Sequence, residues 1–235
     1  MAKLHLITYG CQMNEYDSER VAGLLAEERW ELTADQTEAD LILVNTCAIR
    51  EKAEDKVFSK LGELRLLKAQ NPELVIGVMG CMAQLHQKAI LRRAPSVDLV
   101  FGSPAIARVA ELVDRVRRER QPVLETGEGP LVKITTRPPS GGRLREFVTV
   151  MEGCEKHCTF CIVPETRGRE RSHPPEIIVD EVRRLAAEGC REVTLLGQTV
   201  NAYGRDLTPR TDLSELFARV AEIDDIARMS CGVRL

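Results

Sequence analysis

Residues 147–161 read FVTVMEGCEKHCTFC, a short apolar run followed at once by three cysteines in a C-x3-C-x2-C pattern. The apolar run predicts a buried strand. Three thiolates at this spacing can bind three irons of a cubane iron–sulfur cluster and leave the fourth iron open to a small molecule. Zinc bound with His157 as a fourth ligand is the alternative, but so short a loop would distort tetrahedral geometry. The pattern therefore favours a cluster held by Cys154, Cys158 and Cys161.

The composition places the chain in a broad class. It has 235 residues, eight cysteines and a formal net charge of −3, a charge that does not by itself indicate nucleic-acid binding. The sequence shows neither a signal-peptide pattern nor an apolar stretch long enough to span a bilayer, so we expect a cytoplasmic protein without a membrane anchor. In that compartment cysteines are more often metal ligands than disulfides.

The N-terminal half alternates strand-like and helix-like segments. Apolar runs at 4–9, 41–45 and 74–79 predict strands, and helical spacing predicts helices at 15–28, 51–70, 83–93 and 104–120. Asn14 or Asp17 is expected to cap the first helix, and Asn71-Pro72 to end the second. This alternation predicts an α/β fold with a doubly wound parallel sheet.

Three further cysteines recur in this half at nearly equal intervals. Cys11, Cys47 and Cys81 each follow one of the predicted strands. Because the carboxyl ends of parallel strands share one edge of a sheet, we expect the three thiols to converge there. A single cysteine is usually a small buried hydrophobic residue, but three at equivalent positions indicate a second metal site.

The second half predicts the beginning of a β/α barrel. Strands are expected at 147–151 and 192–196, and helices at 175–188 and 212–223. The Pro- and Gly-rich residues 121–144 are predicted to be a linker, so the domains are 1–120 and 145–235. Two βα units are far short of a complete barrel, and the tail 229–235 has no assignable role. We therefore expect an incomplete barrel in a C-terminally truncated chain.

Motifs along the whole chain resemble the radical S-adenosylmethionine (SAM) methylthiotransferases, in particular the branch that modifies isopentenyl-adenosine in tRNA. The C-x3-C-x2-C loop with Phe160 before its last cysteine is typical of radical SAM enzymes. The matching segments lie at 8–18, 45–53, 80–84, 151–154, 158–164, 166–170 and 196–203.

The resemblance implies a function. It implies methylthiolation of C2 of N6-isopentenyl-adenosine beside the anticodon of tRNA, with two SAM molecules and a sulfur from an auxiliary cluster. Two 4Fe-4S clusters are implied: Cys154, Cys158 and Cys161 hold the SAM-binding one, and the other three hold the auxiliary one. The implied partners are tRNA and an electron donor such as flavodoxin or ferredoxin, and we expect a monomer.

The resemblance also suggests residues near SAM. Phe160, Gly197 and Gln198 are implied to bind the cofactor, and no side chain is assigned as an acid or base. The chain departs from the usual pattern at Glu165, where the family has Tyr, and at Ser172-His173, where it has Arg after the serine. We expect these differences to alter tRNA or SAM contacts; neither of them involves a cysteine.

Other interpretations remain open. A sister enzyme would act on threonylcarbamoyl-adenosine in tRNA or on a ribosomal-protein aspartate. A non-catalytic metal protein would bind zinc at both sites, and an inactive fragment would only bind iron–sulfur.

Several basic residues are weighed as RNA contacts. The run 115–120 is more typical of a solvated helix end. Arg167 and Arg169 are candidates for a SAM or RNA contact through the resemblance alone. Better RNA candidates than the run 115–120 are Arg137, Arg143 and Arg145, because a basic segment near the end of the linker can follow an RNA backbone.

Overall fold

The computed structural model describes residues 1–48, 51–127, 129–131 and 142–232, with the side chains of 51–53 left out. The chain divides into two compact units, Met1–Pro130 and Leu131–Leu235. The second half of the predicted linker, including Arg137, lies mostly outside the described residues. Each unit is built around its own parallel sheet.

The first unit contains a six-stranded sheet in the order β2-β1-β3-β4-β5-β6, with every neighbouring pair parallel. In this order the chain moves first to one side of β1 and then to the other, which is a doubly wound arrangement. The strands are β1 Ala2–Tyr9, β2 Trp30–Leu32, β3 Leu41–Thr46, β4 Val75–Gly80, β5 Leu99–Phe101 and β6 Val123–Glu125.

Helices connect these strands. They are α1 Gln12–Glu27, α2 Glu51–Gln70, α3 Cys81–His86, α4 Lys88–Arg93 and α5 Val109–Glu119, with 3₁₀ turns at Gln36–Glu38 and Ser103–Arg108. The helix predicted at 83–93 is two helices, because Gln87 adopts a positive φ of 43° between them. The helix predicted at 104–120 begins as the second 3₁₀ turn.

The central strands carry the core. All six residues of β3 and all six of β4 are buried, as expected for strands covered on both faces. Ile42 of β3 packs in one apolar cluster with Val57 and Leu61 of α2. These long apolar strands are the ones that the sequence predicted.

The three-residue strands β2, β5 and β6 were not predicted, and β6 bears on where the predicted linker begins. Strand β6 lies inside residues 121–144, which were predicted to be linker, yet it pairs with β5. The backbone N–H of Val123 donates to the Asp98 carbonyl, and that of Gly102 donates to the Glu125 carbonyl. Because each of these strands has only three residues, hydrogen bonding to a neighbour determines its conformation more than periodicity does.

The second unit contains a three-stranded parallel sheet in the order β11-β10-β7 and a small antiparallel ribbon of β8 and β9. Consecutive strands are neighbours and are connected by helices, which is the arrangement of successive strands in a β/α barrel. The elements are β7 Arg145–Thr149, β8 Met151–Glu152, α6 Val163–Arg167, β9 Arg171–Ser172, α7 Pro175–Ala187, β10 Glu192–Leu196, α8 Leu213–Ala221 and β11 Arg228–Gly232.

Strand β11 was not predicted, and it adds a third strand to the two expected βα units. Its sequence RMSCG carries no continuous apolar run. It pairs with β10 from Arg228 to Gly232, and the hydroxyls of Thr194 and Ser230 are 2.9 Å apart across the pair. The predicted α/β class, a doubly wound sheet followed by the first part of a barrel, is confirmed. Within the described ranges no helix is long and apolar enough to cross a membrane.

Candidate metal centres

The first three cysteines lie at one edge of the N-terminal sheet. Tyr9 is in register with Thr46, and Thr46 with Gly80, so the ends of β1, β3 and β4 are level. Cys47 and Cys81 follow their strands directly, and Cys11 is two residues beyond Tyr9. Neighbouring strands lie about 4.8 Å apart. The strand order changes direction between β1 and β3, the position at which open α/β sheets bind ligands.

A buried network of amides joins the ends of β1 and β3. The Asn14 side-chain amide donates to Asn45 Oδ1 at 2.9 Å and to the Thr46 carbonyl at 3.3 Å. In return, the Asn45 amide donates to the Asn14 carbonyl at 2.7 Å and to Ser18 Oγ at 3.0 Å. Since both asparagines are fully buried, these bonds hold the turn that carries Cys11 against β3.

The network corrects the predicted helix cap. Helix α1 begins earlier than expected, with Cys11 at the N-cap position, and Asn14 lies in its first turn. Asn14 Oδ1 accepts from the Cys11 backbone N–H at 3.3 Å and lies 3.5 Å from the Cys11 sulfur. Sequence reasoning missed this role of Asn14 and Asn45, although both stand beside a cysteine at a strand end.

The donor set at this edge fits an iron–sulfur cluster. It consists of three thiols on three different connections, with Cys47 and Cys81 buried and Cys11 half-buried. The thiolates of a cubane bind different irons, so they need not surround one point. Among the described residues no three His, Cys, Asp or Glu side chains are grouped tightly enough for a single ion.

Gly80 is expected to be essential to the geometry beside Cys81. Its φ of 91° and ψ of −159° lie in a region that only glycine adopts readily. A Cβ there would lie 2.4 Å from Asn45 Oδ1 and 2.8 Å from the Thr46 carbonyl oxygen. We expect Gly80→Ala to lower the free energy of unfolding by about 2 kcal/mol or more, measured by urea denaturation with circular dichroism.

Gly62 provides the matched control. It lies within α2, and a Cβ there would meet nothing within 4 Å. Gly62→Ala should therefore stabilise the protein by about 0.5–1 kcal/mol. A Gly80→Ala variant as stable as Gly62→Ala would show that the strained turn is not needed.

The other three cysteines lie on the loop between β8 and α6. The Cys154 thiol is buried, Cys161 is half-buried and Cys158 is exposed. The Cys161 N–H donates to the Cys158 carbonyl at 3.1 Å, and the Cys154 N–H donates to the Gly168 carbonyl at 3.1 Å. Three thiols on one tightly folded loop fit a cubane with an open iron.

The turn after β10 supports this loop. Gln198 Oε1 accepts from the Gly153 N–H at 2.6 Å, and Thr199 Oγ1 lies 3.0 Å from the Cys154 sulfur. A Cβ on Gly197 would lie 2.5 Å from Met151 Cγ, so glycine permits this close approach. The structure thus brings Gly197 and Gln198 beside the cysteine loop. Thr199 was missed from sequence, although it follows the same strand end.

Phe160 differs from its neighbours in exposure. Its side chain is 93% exposed, which makes it the most exposed large apolar residue in the described part of the chain. An aromatic side chain at the surface of a cysteine loop is available to contact a bound molecule. Its cofactor-binding role stays a prediction.

The departures from the family pattern have distinct positions. Glu165 is exposed on α6, whereas Ser172 and His173 are buried. Ser172 Oγ accepts from the Gly204 N–H at 2.9 Å, and the Tyr203 hydroxyl donates to the His173 carbonyl at 2.8 Å. Burial raises the pKa of the Tyr203 phenol well above its usual range, which keeps this donor protonated. Ser172 and His173, the two residues that differ from the family pattern, therefore anchor the segment that follows β10.

The basic run at the end of α5 is occupied by local contacts. Arg117 stacks on the Trp30 ring, with 4.4 Å between the guanidinium carbon and the ring centroid. Arg115 pairs with Glu119 at 3.2 Å, and Arg120 pairs with Glu73. These contacts favour the interpretation of a solvated helix end over that of an RNA contact.

The remaining candidates are also placed by the structure. Arg143 pairs with Glu146 at 2.8 Å, and Arg145 with Glu192 at 3.1 Å. Both lie at the amino end of β7, opposite the cysteine loop. Arg167 is buried and Arg169 is exposed. Of the two remaining cysteines, Cys190 is buried with its thiol 3.2 Å from the Glu192 carbonyl, and Cys231 is exposed on β11.

Two family models match separate parts of the chain. Residues 3–102 match the Uncharacterized protein family UPF0004, and residues 148–234 match the Radical SAM superfamily. The second match extends through β11. A similar solved structure is the radical SAM methyltransferase TsrM from Kitasatospora setae with tryptophan and a SAM analogue, at a TM-score of 0.59 and 12% identity. The alignment covers 94% of this chain and 51% of that one, and it supports the fold.

The match over residues 148–234 is to the radical SAM class, which implies a 4Fe-4S cluster and SAM. Curated relatives are the tRNA-2-methylthio-N(6)-dimethylallyladenosine synthases of Hahella chejuensis, 49% identical, and Yersinia pseudotuberculosis, 48% identical. Over nearly its whole length the chain is therefore similar to enzymes named for tRNA methylthiolation. Both alignments cover 97% of this chain but only 52% and 49% of the relatives, so the chain spans about half their length.

Proposed function

We propose that this chain carries both cluster sites of an enzyme that methylthiolates C2 of N6-isopentenyl-adenosine beside the anticodon of tRNA. The observation that carries the proposal is the presence of two sets of three thiols, one at the carboxyl edge of each parallel sheet. Similarity to relatives named for this reaction supports the choice of substrate.

Each set has a separate role in the proposal. Cys154, Cys158 and Cys161 hold the 4Fe-4S cluster to which SAM binds. The other set, Cys11, Cys47 and Cys81, holds an auxiliary 4Fe-4S cluster that carries the sulfur to be methylated and inserted. When bound, these groups supply a carbon-based radical and a sulfur donor, which an aromatic C–H bond requires because it is neither acidic nor electrophilic.

The chain's own residues position the ligands. The bonds between Asn14 and Asn45 hold the Cys11 turn against β3, and burial of Cys47 and Cys81 keeps water from their sulfurs. Gln198 holds the backbone of the SAM-cluster loop at Gly153. Gly197 and Phe160 are proposed to line the SAM site, and no side chain is assigned as an acid or base.

The partners follow from the reaction. The proposed substrate is tRNA, and the clusters require an electron donor such as flavodoxin or ferredoxin. We place the protein in the cytoplasm, where tRNA is modified, and expect it to be monomeric.

Thr199 is expected to tune the SAM cluster. Its hydroxyl is 3.0 Å from the Cys154 sulfur, and a hydrogen bond to a cluster thiolate favours the reduced state. We expect Thr199→Val to lower the reduction potential of this cluster, measured by redox titration with electron paramagnetic resonance. Thr194→Val, on the strand β10 that precedes this turn, is the control, because its hydroxyl contacts Ser230 instead. An unchanged potential in Thr199→Val would contradict the role.

The decisive test of function is nucleoside analysis. The reconstituted chain is incubated anaerobically with SAM, a reductant and isopentenylated tRNA, and the digested RNA is analysed by mass spectrometry. We expect 2-methylthio-N6-isopentenyl-adenosine to form. Methylthiolation of threonylcarbamoyl-adenosine, or of a ribosomal-protein aspartate supplied in parallel, would instead assign the chain to a sister enzyme.

A further inference from the structure

A polar cleft lies beside the segment that follows β10. It has a volume of about 480 Å³, and its lining includes Arg205, Arg210, Asp212 and Glu215. This volume is within the range of sites that hold a small molecule or one unit of a polymer. The segment begins at the carboxyl end of β10. The cleft therefore lies at the same end of the sheet as the turn of Gln198 and Thr199, which contacts the cysteine loop.

The backbone that carries the cleft is held in place. Besides the bonds of Tyr203 and Gly204 to β9 and His173, the Ser172 N–H donates to the Asp206 carboxylate at 2.8 Å. The Thr211 N–H donates back to the Gly204 carbonyl at 3.4 Å. The segment from 203 to 211 is therefore a closed loop tied to the strand after the cysteine loop, and its charged side chains extend from a fixed support.

The two arginines differ from most others in this unit. Arg205 and Arg210 are exposed, and within the described part of the chain neither guanidinium makes an ion pair or a hydrogen bond. By contrast, Arg145, Arg184 and Arg219 each pair with a glutamate. Two unpaired guanidinium groups beside one cleft can bind the oxygens of a phosphate in a bidentate manner.

The two carboxylates of the cleft have local partners. Asp212 Oδ1 accepts from the Glu215 N–H at 3.0 Å, and Glu215 Oε2 accepts from the Thr211 hydroxyl at 2.8 Å. A carboxylate has lone pairs for several donors, so both retain the capacity to accept a further hydrogen bond. A bare inorganic anion would be repelled by these groups, whereas a ligand with a phosphate and a neighbouring hydroxyl suits both kinds of side chain.

We propose that this cleft binds one ribose-phosphate unit of the RNA substrate. The guanidinium groups of Arg205 and Arg210 bind the phosphate, and Asp212 or Glu215 accepts a hydrogen bond from the 2′-hydroxyl, the group that distinguishes RNA from DNA. The inference rests on the proposed function, in that it takes RNA as the substrate. It adds a binding subsite that lies outside the cysteine loop.

A charge-matched pair of variants tests the subsite. Arg205→Gln/Arg210→Gln removes two positive charges at the cleft, and Arg145→Gln/Arg228→Gln removes two at the amino ends of β7 and β11 in the same sheet. Binding of a fluorescent anticodon stem-loop RNA to the reconstituted chain is measured by anisotropy over a series of salt concentrations. We expect the cleft variant to raise the Kd about tenfold or more and to reduce the salt slope by about 1 to 2. The control variant should change both much less.

A second comparison tests the hydroxyl contact. We expect the wild-type chain to bind RNA more tightly than DNA of the same sequence, and Glu215→Gln with Asp212→Asn to reduce this preference. Asparagine still accepts at a helix cap, so the fold of α8 is preserved. A preference that does not change would overturn the assignment of the hydroxyl contact.

The outcomes separate this inference from the proposed function. Equal RNA affinity in the two charge-matched variants, or no RNA binding by the wild-type chain, would overturn the subsite even if methylthiolation is observed. Loss of affinity for SAM rather than RNA in the cleft variant would also overturn it. A selective loss of RNA affinity without any methylthiolated nucleoside would support the subsite and count against the proposed reaction alone.

Discussion

Cys154→Ala is expected to reduce the iron content of the anaerobically reconstituted chain from about eight to about four irons. The Cys154 thiol is the buried member of its set, and its loop is fixed through Gly168 and Thr199. Removing this ligand leaves Cys158 and Cys161 as only two protein ligands for a cubane. We therefore expect reductive cleavage of SAM, measured as 5′-deoxyadenosine, to fall to the background rate.

Cys231→Ala is the matched control for this variant. Cys231 is a thiol of the same unit, but it is exposed on β11 and lies outside both proposed sets. Its replacement should leave iron, acid-labile sulfide and SAM cleavage unchanged. An iron content of about four in the wild-type chain that Cys154→Ala does not alter would mean that this unit holds no cluster. Zinc in place of iron at either site would favour a non-catalytic metal protein.

Cys47→Ala is expected to remove the other cluster while leaving SAM cleavage intact. Cys47 extends the central strand β3, between the turns that carry Cys11 and Cys81. Its loss should again remove about four irons, now from the auxiliary site. Because the SAM cluster has its own three ligands, 5′-deoxyadenosine should still form while methylthiolation of the RNA falls to background.

The remaining members of the auxiliary set provide the internal check. Cys11→Ala and Cys81→Ala should reproduce the result of Cys47→Ala, because a cubane with one open iron needs all three thiolates. A variant with both Cys47→Ala and Cys154→Ala should retain almost no iron. If Cys47→Ala left the iron content unchanged, Cys47 would be a structural buried thiol, and the auxiliary cluster would have to be assigned to other ligands.

The candidate sites differ in how far sequence could predict them. The spacing of Cys154, Cys158 and Cys161 is local, so it could be recognised without a structure. The set at Cys11 and Cys47 was recognised because each thiol follows an apolar strand, and parallel strands end at one edge. The supporting contacts were not predicted, because they join residues far apart in the chain.

Thr199 illustrates this limit. A threonine after a strand has no distinctive pattern, and only the register of β10 beside β7 brings its hydroxyl to the Cys154 sulfur. The same holds for Arg205 and Arg210. These two arginines are candidates for binding because their guanidinium groups make no ion pair among the described residues and because a fixed loop carries them. Neither feature can be predicted from the amino-acid sequence.

The sequence by itself determined the strands and helices that are marked by an apolar run or by apolar residues at helical spacing. The apolar strands β3 and β4 are fully buried, β10 buries its apolar residues, and β1 buries Leu4. Helices α2 and α7 have apolar residues at helical spacing. Tertiary structure alone decided the short strands β2, β5, β6 and β11, which take their conformation from hydrogen bonds to a neighbour. It also decided the bonds of Asn14 with Asn45 and of Gln198 with Gly153. The physical reason is that burial is encoded residue by residue, whereas a hydrogen bond between distant residues exists only when the register of the strands brings donor and acceptor together.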